Sequence, residues 1–462
     1  MMKLSLCLIF ITFSLLVASQ EYLVKASIKE QVEDFKVFKT TLIECHSGIY
    51  DYNDSTSLYT GLNSLEAKIN SRPMTRIELV ASYSKFVSSL KCIHTWVYQE
   101  NVAIKFLDAK YELPFHLYFV NNTLFSKEDY RSDKNEIDKN DQIVAINGEL
   151  ISDLKDSLYQ FISSDGNNTS RKDQVLKHNF LYYYFLFKQR ETNFLLQYIH
   201  KGDTLKGVFN SRYSQNKNKN RKKYNSMCYS IDTLTSHAVL VLPIPLLANK
   251  KYEKRLESFM EEIKSRKIKN LVLDLRNNGG GKSQQFLAGF FISSKIAYGQ
   301  KNYSSIHTAT YKKYFLHKMN PQFLVSNLMG RYTSGKVSNS YITPQEQYRG
   351  KLFILINGNT GSAASNFAAI LKEWGNATIV GEESGGGYNS YNTGGGTLQL
   401  PNSKIRITIR SIKSYNNIPQ KFSSSGVTPH YKIKESSTFD CTIDPQLNFI
   451  VNELILTKPK LH

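Results

Sequence analysis

Three short stretches of this chain hold the residues best suited to covalent chemistry. The first is Asp274-Leu-Arg-Asn-Asn-Gly-Gly-Gly281, placed between an apolar run and a helical pattern. Glycine lets backbone N–H groups approach an anion closely, and the following helix N-terminus adds positive potential. Gly281-Lys282-Ser283 imitates the end of a phosphate-binding loop. That motif needs a glycine five places before Gly281, where this chain has Arg276. What remains is either an oxyanion site, whose N–H donors stabilise charge developing on a carbonyl oxygen, or a plain glycine turn. The second stretch is Asn357-Gly-Asn-Thr-Gly-Ser-Ala-Ala-Ser365, another strand-to-helix turn. A serine there is ordinarily an N-cap, but its exposed hydroxyl beside free N–H groups also suits a nucleophile. The third is Leu90-Lys-Cys-Ile-His-Thr-Trp96, where His94 could act as a base or be an ordinary core or surface histidine. Cys92 and His94 alone do not make a metal site, and no His-Glu-x-x-His or Cys-x-x-Cys accompanies them, so neither a zinc enzyme nor any other metal or cofactor is expected.

The elements that must position these groups can be read from periodicity. Glu30 to Ile43 and Ser64 to Leu90 carry apolar residues at helical spacing, and from Trp96 to about Val120 the pattern turns strand-like. Asn140-Asp-Gln-Ile-Val-Ala-Ile-Asn-Gly148 reads as turn, strand and turn. Residues 210–225 hold six cations and no acid, the composition of a solvated linker. Beyond it, strands at 238–242, 270–275, 352–356 and 377–380 alternate with helices at 252–266, 283–293 and 363–374. That alternation predicts a mainly parallel sheet with its chemistry on the loops leaving the strands' carboxyl ends.

At 462 residues with 41% apolar composition, the chain can build several sizeable cores. Five cysteines exclude a disulfide-dense miniature scaffold, and no pairing among Cys45, Cys92, Cys228 and Cys441 can be deduced. The charge balance, 59 Lys and Arg against 39 Asp and Glu for a net +20, invites a nucleic-acid reading. The basic residues are scattered, however, so no nucleic-acid partner is expected. Residues 1–19 read as a cleaved signal peptide, with Lys3, an apolar stretch and Val17-Ala18-Ser19, so an exported (periplasmic or extracellular) protein is expected with no transmembrane segment after cleavage.

Taken together, these stretches resemble the tail-specific (C-terminal processing) serine peptidase family, in particular its tricorn-core and interphotoreceptor-retinoid-binding-protein-like branch, which uses histidine where the other branch uses lysine. Asp274 to Gly281 resembles the family's Asp-Leu-Arg-x-Asn-x-Gly-Gly loop, and Ser362 to Ser365 its nucleophile turn. Val380 to Gly386 resembles its Val-Gly-Glu-x-x-Gly-Gly turn, Gly426 to Pro429 its Gly-Val-x-Pro, and His94-Thr95 the branch's His-Thr element. The segment ending in Gly148 resembles the family's PDZ-like unit. The lysine branch is excluded, since Gly385-Gly-Gly-Tyr-Asn-Ser390 lacks Gly-Lys-Gly.

The resemblance implies an α/β fold with a ClpP/crotonase-like peptidase core, a PDZ-like domain and a helical N-terminal domain. The implied boundaries are a signal at 1–19, the helical domain at 20–95, the PDZ-like domain at 96–205, a basic linker at 206–235 and the catalytic core at 236–462. It further implies a serine endopeptidase acting on peptides or protein C-terminal tails, with Ser362 as nucleophile, Ser365 as the alternative, His94 as general base, and Gly280 and Ala363 as oxyanion donors. The acid often found shortly before Gly-Val-x-Pro is missing here. The third triad member is thus unassigned, with Glu382, Glu383 and Ser423 as candidates. That gap motivates the alternative of a catalytically inactive ligand- or peptide-binding protein on the same fold.

Overall fold

The computed structural model describes residues 24–98, 113–188, 193–211, 227–242, 250–281, 284–297, 300–304, 313–316, 337–338, 341–416, 418, 426–436 and 444–457. The expected signal (1–19), most of the basic linker's cations, Cys441 and Ser423 lie outside the described residues.

The first layer is helical. Helix α1 (Ile28–Cys45) opens on a capping box in which Ser27 accepts from the Glu30 N–H while the Glu30 carboxylate reaches back to Ser27. The long helical pattern at 64–90 divides into α2 (Ser55–Ser71) and α3 (Arg76–Ser89). Pro73 cannot continue a helix, and Thr75 caps α3 through a second box with Glu78. Phe35, Phe38, Leu42, Leu62 and Tyr83 form the core between these helices.

The second layer is an antiparallel sheet built from β1 (Leu117–Val120), β2 (Thr123–Ser126) and β3 (Gln142–Ile146), followed by helix α4 (Ile151–Tyr159), helix α5 (Ser170–Phe187) and the hairpin β4 (Asn193–His200) to β5 (Asp203–Asn210). Its strand order is β5-β4-β3-β2-β1. Asn147 and Gly148 take the positive φ expected of the turn after β3. Helix α5 covers β1, with Phe180 stacked on Phe119.

The third layer is the α/β sheet. Strand β6 (Cys228–Asp232) pairs antiparallel with β7 (His237–Val241). After α6 (Lys250–Ser265), strands β8 (Asn270–Asp274) and β9 (Lys351–Ile356) join β7 in parallel register. Helix α7 (Ala363–Trp374) and strand β10 (Thr378–Gly381) continue the parallel order. The chain then leaves this sheet as a hairpin of β11 (Gly396–Gln399) and β12 (Arg406–Ile409) before β13 (Tyr431–Lys432) returns to the edge beside β10. The parallel sheet read from the alternation is therefore present, with β7, β8 and β9 buried as nearly continuous apolar runs. Of the helix expected at 283–293, the described part is Gln284–Ala288, after which the Gly289 carbonyl accepts from the Gln345 N–H at 2.8 Å instead of continuing the helix.

The β11–β12 hairpin joins the first and third layers. Leu398, Leu400, Ile405, Ile407 and Ile409 of the β11–β12 hairpin are buried in the helical layer's core. Asp34 of α1 caps the hairpin turn, accepting from the Asn402 and Ser403 N–H groups at 2.8 Å each. The stretch after His94 adds to the free side of β12, with the Thr408 N–H donating to the Trp96 carbonyl at 2.9 Å and the Tyr98 N–H to the Arg406 carbonyl at 2.8 Å.

Candidate active site

Ser362 stands between β9 and α7, in the half-buried residue just before the helix. It does not behave as an N-cap: its side chain makes no capping bond, and its backbone lies at φ 49°, ψ −124°. A non-glycine residue held in this region costs about 1–3 kcal/mol, which the surroundings must over-determine. They do so by close backbone packing. The Gly361 N–H donates to the Asn278 carbonyl at 2.9 Å and the Asn366 N–H to the Ser362 carbonyl at 3.1 Å. Two glycines close the ring around the serine. A Cβ at Gly280, where φ is +104°, would lie 2.8 Å from Ser362 Cβ and from the Ala363 nitrogen. A Cβ at Gly386 would lie 2.6 Å from the Ser362 nitrogen and 2.7 Å from Ser365 Oγ.

The two turns on either side of the serine are laced together. Thr360 Oγ1 donates to the Leu275 carbonyl at 2.9 Å, and the Asn277 N–H donates to Asn357 Oδ1 at 3.1 Å. Asn278 Nδ2 anchors the glycine turn on the Leu242 carbonyl at 2.8 Å. Arg276 locks the same turn to the C-terminal segment, with its guanidinium between Asp274 at 2.6 Å and Asp444 at 2.7 Å. Those carboxylates hold the arginine's proton more tightly than burial loosens it, so its pKa lies above the usual range.

The expected oxyanion donors sit at the serine, but they differ. Ala363 opens the first turn of α7, where an N–H has no intrahelical acceptor. The Gly280 N–H donates to Asn278 Oδ1 at 2.9 Å. Ser365 is fully buried and its hydroxyl donates to the Thr360 carbonyl at 2.8 Å, a structural bond inside the turn.

His94 follows α3 in a loop whose position depends on distant segments. The Arg410 Nε–H donates to its carbonyl at 3.0 Å. Its Nδ1 is buried and has no hydrogen-bond partner among the described residues. Burial, and then the charges of Arg410 and Arg171, push its pKa down to about 4, so the imidazole is neutral at neutral pH.

Two residues that sequence reasoning missed join this loop to the serine turn. Asp165 Oδ1 accepts from the Ile93 N–H at 2.8 Å and its Oδ2 from the Gly387 N–H at 3.1 Å. One carboxylate thus holds both the residue before His94 and the residue after Gly386, the glycine packed on Ser362. Burial pushes the Asp165 pKa up to about 7, partly offset by those two N–H bonds. Arg171 of α5 hydrogen-bonds Asn359 of the serine turn, and its charge reaches His94. Neither residue belongs to a motif. In sequence, Asp165-Gly166 reads as a turn and Arg171 as one more surface cation.

The candidate acids are occupied elsewhere. Glu383 Oε1 accepts from the Gly426 N–H at 2.7 Å. Glu382 accepts from Gln174 at 3.4 Å, and its pKa is raised to about 7 by burial, then by the charges of Glu435 and Asp173. Neither fills the vacancy at His94 Nδ1. Cys45 and Cys92 are buried and Cys228 is exposed. Among the described residues, one grouping of metal-ligating types occurs, Glu136, Asp138 and His200 in the second layer. Arg131 pairs with both carboxylates there. No helix among the described residues is long and apolar enough to cross a membrane.

Residues 238–433 match Peptidase family S41. The matched region holds both turns around Ser362 and leaves out His94, Asp165 and Arg171. No curated protein matches the chain. Among solved structures, mature CPAF is similar with a TM-score of 0.61 at 15% identity, over 89% of this chain and 93% of that one. A CPAF mutant matches with a TM-score of 0.61 at 14% identity, over 94% of this chain and 99% of that one. These likenesses correct the expected fold class. Along nearly the whole chain the fold is that of CPAF, and not a ClpP/crotonase-like core with domains appended. The physical reason lies in the β11–β12 hairpin, whose apolar residues are buried against α1–α3. The α/β portion therefore shares a core with the helical layer.

Proposed function

Taking the chain as the serine-type peptidase of family S41 that residues 238–433 indicate, we propose that it is an exported endopeptidase in which Ser362 and His94 form the acyl-transfer pair. One observation carries this reading: Ser362 is held at positive φ with its hydroxyl released from helix capping. In this mechanism Ser362 Oγ attacks the scissile carbonyl as its proton passes to His94, giving a tetrahedral intermediate that becomes an ester when the C–N bond breaks. The imidazolium then protonates the leaving amine, and water repeats the sequence on the acyl-enzyme. The Ala363 N–H receives the oxyanion, joined by the Gly280 N–H once it turns from Asn278. His94, neutral with a pKa of about 4, is in its proton-accepting form throughout the neutral range. The family's histidine-using branch is the one this assignment fits. The exposed edge strand β5 of the second layer offers a place for an extended substrate tail to add by strand pairing.

A second reading, an inactive ligand- or peptide-binding protein on the same fold, is favoured by His94 Nδ1, which has no hydrogen-bond partner among the described residues. One experiment decides. The protein is incubated with a disordered protein substrate and, separately, with an acylating serine reagent. Cleavage abolished by Ser362→Ala and by His94→Ala, with label on Ser362, supports the peptidase. Absence of both cleavage and label favours the binding protein. Cleavage that persists in Ser362→Ala and disappears in Ser365→Ala overturns the nucleophile assignment.

A further inference from the structure

A cavity of about 410 Å³ opens beside the His94 loop, between that loop, α3 and α5. Its apolar walls include Ile93, Trp96, Phe161 and Val175, and its polar lining includes Ser84 and Arg171. Ile93 is His94's neighbour, and Arg171 is the residue that bonds Asn359 of the serine turn. The cavity therefore borders the His94 loop at Ile93 and is tied to the serine turn through Arg171.

Its polar groups are incompletely satisfied. Arg171 Nε is buried without a hydrogen-bond partner, as is Ser84 Oγ. No carboxylate among the described residues forms an ion pair with Arg171. The acid whose charge reaches it, Asp165, is engaged by the Ile93 and Gly387 N–H groups. A largely buried guanidinium without a counter-ion is costly, and such groups in proteins are ordinarily paired. Two further cations stack on rings that line the cavity, Arg410 at 5.4 Å over Trp96 and Arg406 at 5.2 Å over Tyr98. The arrangement is a cation and a hydroxyl donor at the polar side of an apolar slot. Its complement is an aliphatic stem ending in a carboxylate.

We propose that this cavity is a substrate subsite for a carboxylate-bearing residue, with Arg171 pairing the carboxylate and Ser84 donating to it. The carboxylate is either an acidic side chain or the terminal carboxylate of a peptide. The subsite's role in turnover rests on the peptidase reading, but its binding chemistry does not.

The test therefore measures binding, in the Ser362→Ala chain, so that cleavage cannot intervene. Three probes are titrated while tryptophan emission, to which Trp96 contributes, is followed. They are acetyl-Ala-Ala-Glu-Ala-Ala-amide, its Gln counterpart, and that Gln peptide with a free C-terminal carboxylate. At least one carboxylate probe is expected to bind about ten- to a hundredfold more tightly than the neutral peptide, the range of hydrogen bonds to charged groups. Which of the two does so identifies the source. Adding Arg171→Gln should erase the preference, and Arg171→Lys should restore part of it, which loss of folding would not do. Equal or undetectable binding of all three probes, or a preference that survives Arg171→Gln, overturns the subsite. A carboxylate preference in a protein that cleaves nothing would leave the subsite standing and remove the peptidase reading. Cleavage without any preference would do the reverse.

Discussion

The Ser362 turn and the His94 loop are held in opposite ways. Around the serine, main chain packs on main chain. Gly280 and Gly386 leave no room for a Cβ, and the stretch from Asn357 to Ser365 bonds chiefly to itself and to the Asn277–Asn278 turn. Around the histidine, long side chains reach in from elsewhere: Asp165 to the Ile93 N–H, Arg410 to the His94 carbonyl, and Arg171 as a nearby charge. The nucleophile is thus built by close main-chain packing and the base by side chains reaching in from elsewhere. Substitutions near the serine should act through sterics, and those near the histidine through charge and pH.

The largest expected effect is Ser362→Ala, which should lower cleavage of a disordered protein by roughly a millionfold, as for catalytic residues that act as a unit. His94→Ala should cost a comparable factor, and the double variant little more than either single one. Additive losses in a steady-state assay would show that the two regions do not work together.

Next is the steric side of the contrast. Gly386→Ala places a methyl group against the Ser362 nitrogen. It should cost about 1–3 kcal/mol of stability by overpacking and slow cleavage by roughly a hundredfold through displaced geometry. Chemical denaturation and kinetics on the same preparation measure both, and unchanged kinetics would refute the role of close packing.

The histidine side should show itself in pH dependence. Because His94 is depressed to about 4, the acid limb of kcat/KM should have its midpoint there rather than near the ordinary 6.5. Stability carries the same signature. His46, buried and also lowered to about 4, joins His94 in resisting protons that the unfolded chain accepts. Their contribution is complete above about 6.5 and is lost as pH falls towards 4. Asp165 and Glu382, both raised to about 7, act with the opposite sign, since they retain protons that the unfolded chain has released. They lower stability as pH rises from about 4 to 7. Asp165→Asn removes one of these opposing contributions, so the thermal midpoint should climb more steeply between pH 4 and 6.5 than in the native protein. It should also weaken the tie to Ile93 or Gly387 and lower kcat with little change in KM.

The smallest effect belongs to Ser365→Ala. Loss of the buried bond to Thr360 should cost about 1 kcal/mol and leave cleavage intact. A large kinetic loss would move the nucleophile from Ser362.

The contrast also explains which parts of the site were legible in sequence. Ser362, Ala363 and Gly280 could be named as candidates because a strand-to-helix turn with small residues is a local pattern, readable within ten positions. Asp165 and Arg171 were not, because each acts on groups far away in the chain, Asp165 on Gly387 and Arg171 on Asn359. The division of 64–90 into two helices turned on Pro73 and the capping Thr75, both visible in sequence but outweighed by the continuous apolar spacing around them.

What the sequence determined by itself is the order of elements, the parallel sheet and the chemistry available at each turn. Periodicity and glycine placement act over a few residues, and those interactions survive in any arrangement of the layers. Only the tertiary structure decided that the β11–β12 hairpin shares the core of α1–α3, that one carboxylate holds both the His94 loop and the Ser362 turn, and that Arg171 faces a cavity with no counter-ion among the described residues. Each of these joins side chains far apart in the chain. Their burial and charge take effect only once the layers have packed and water has left the space between them.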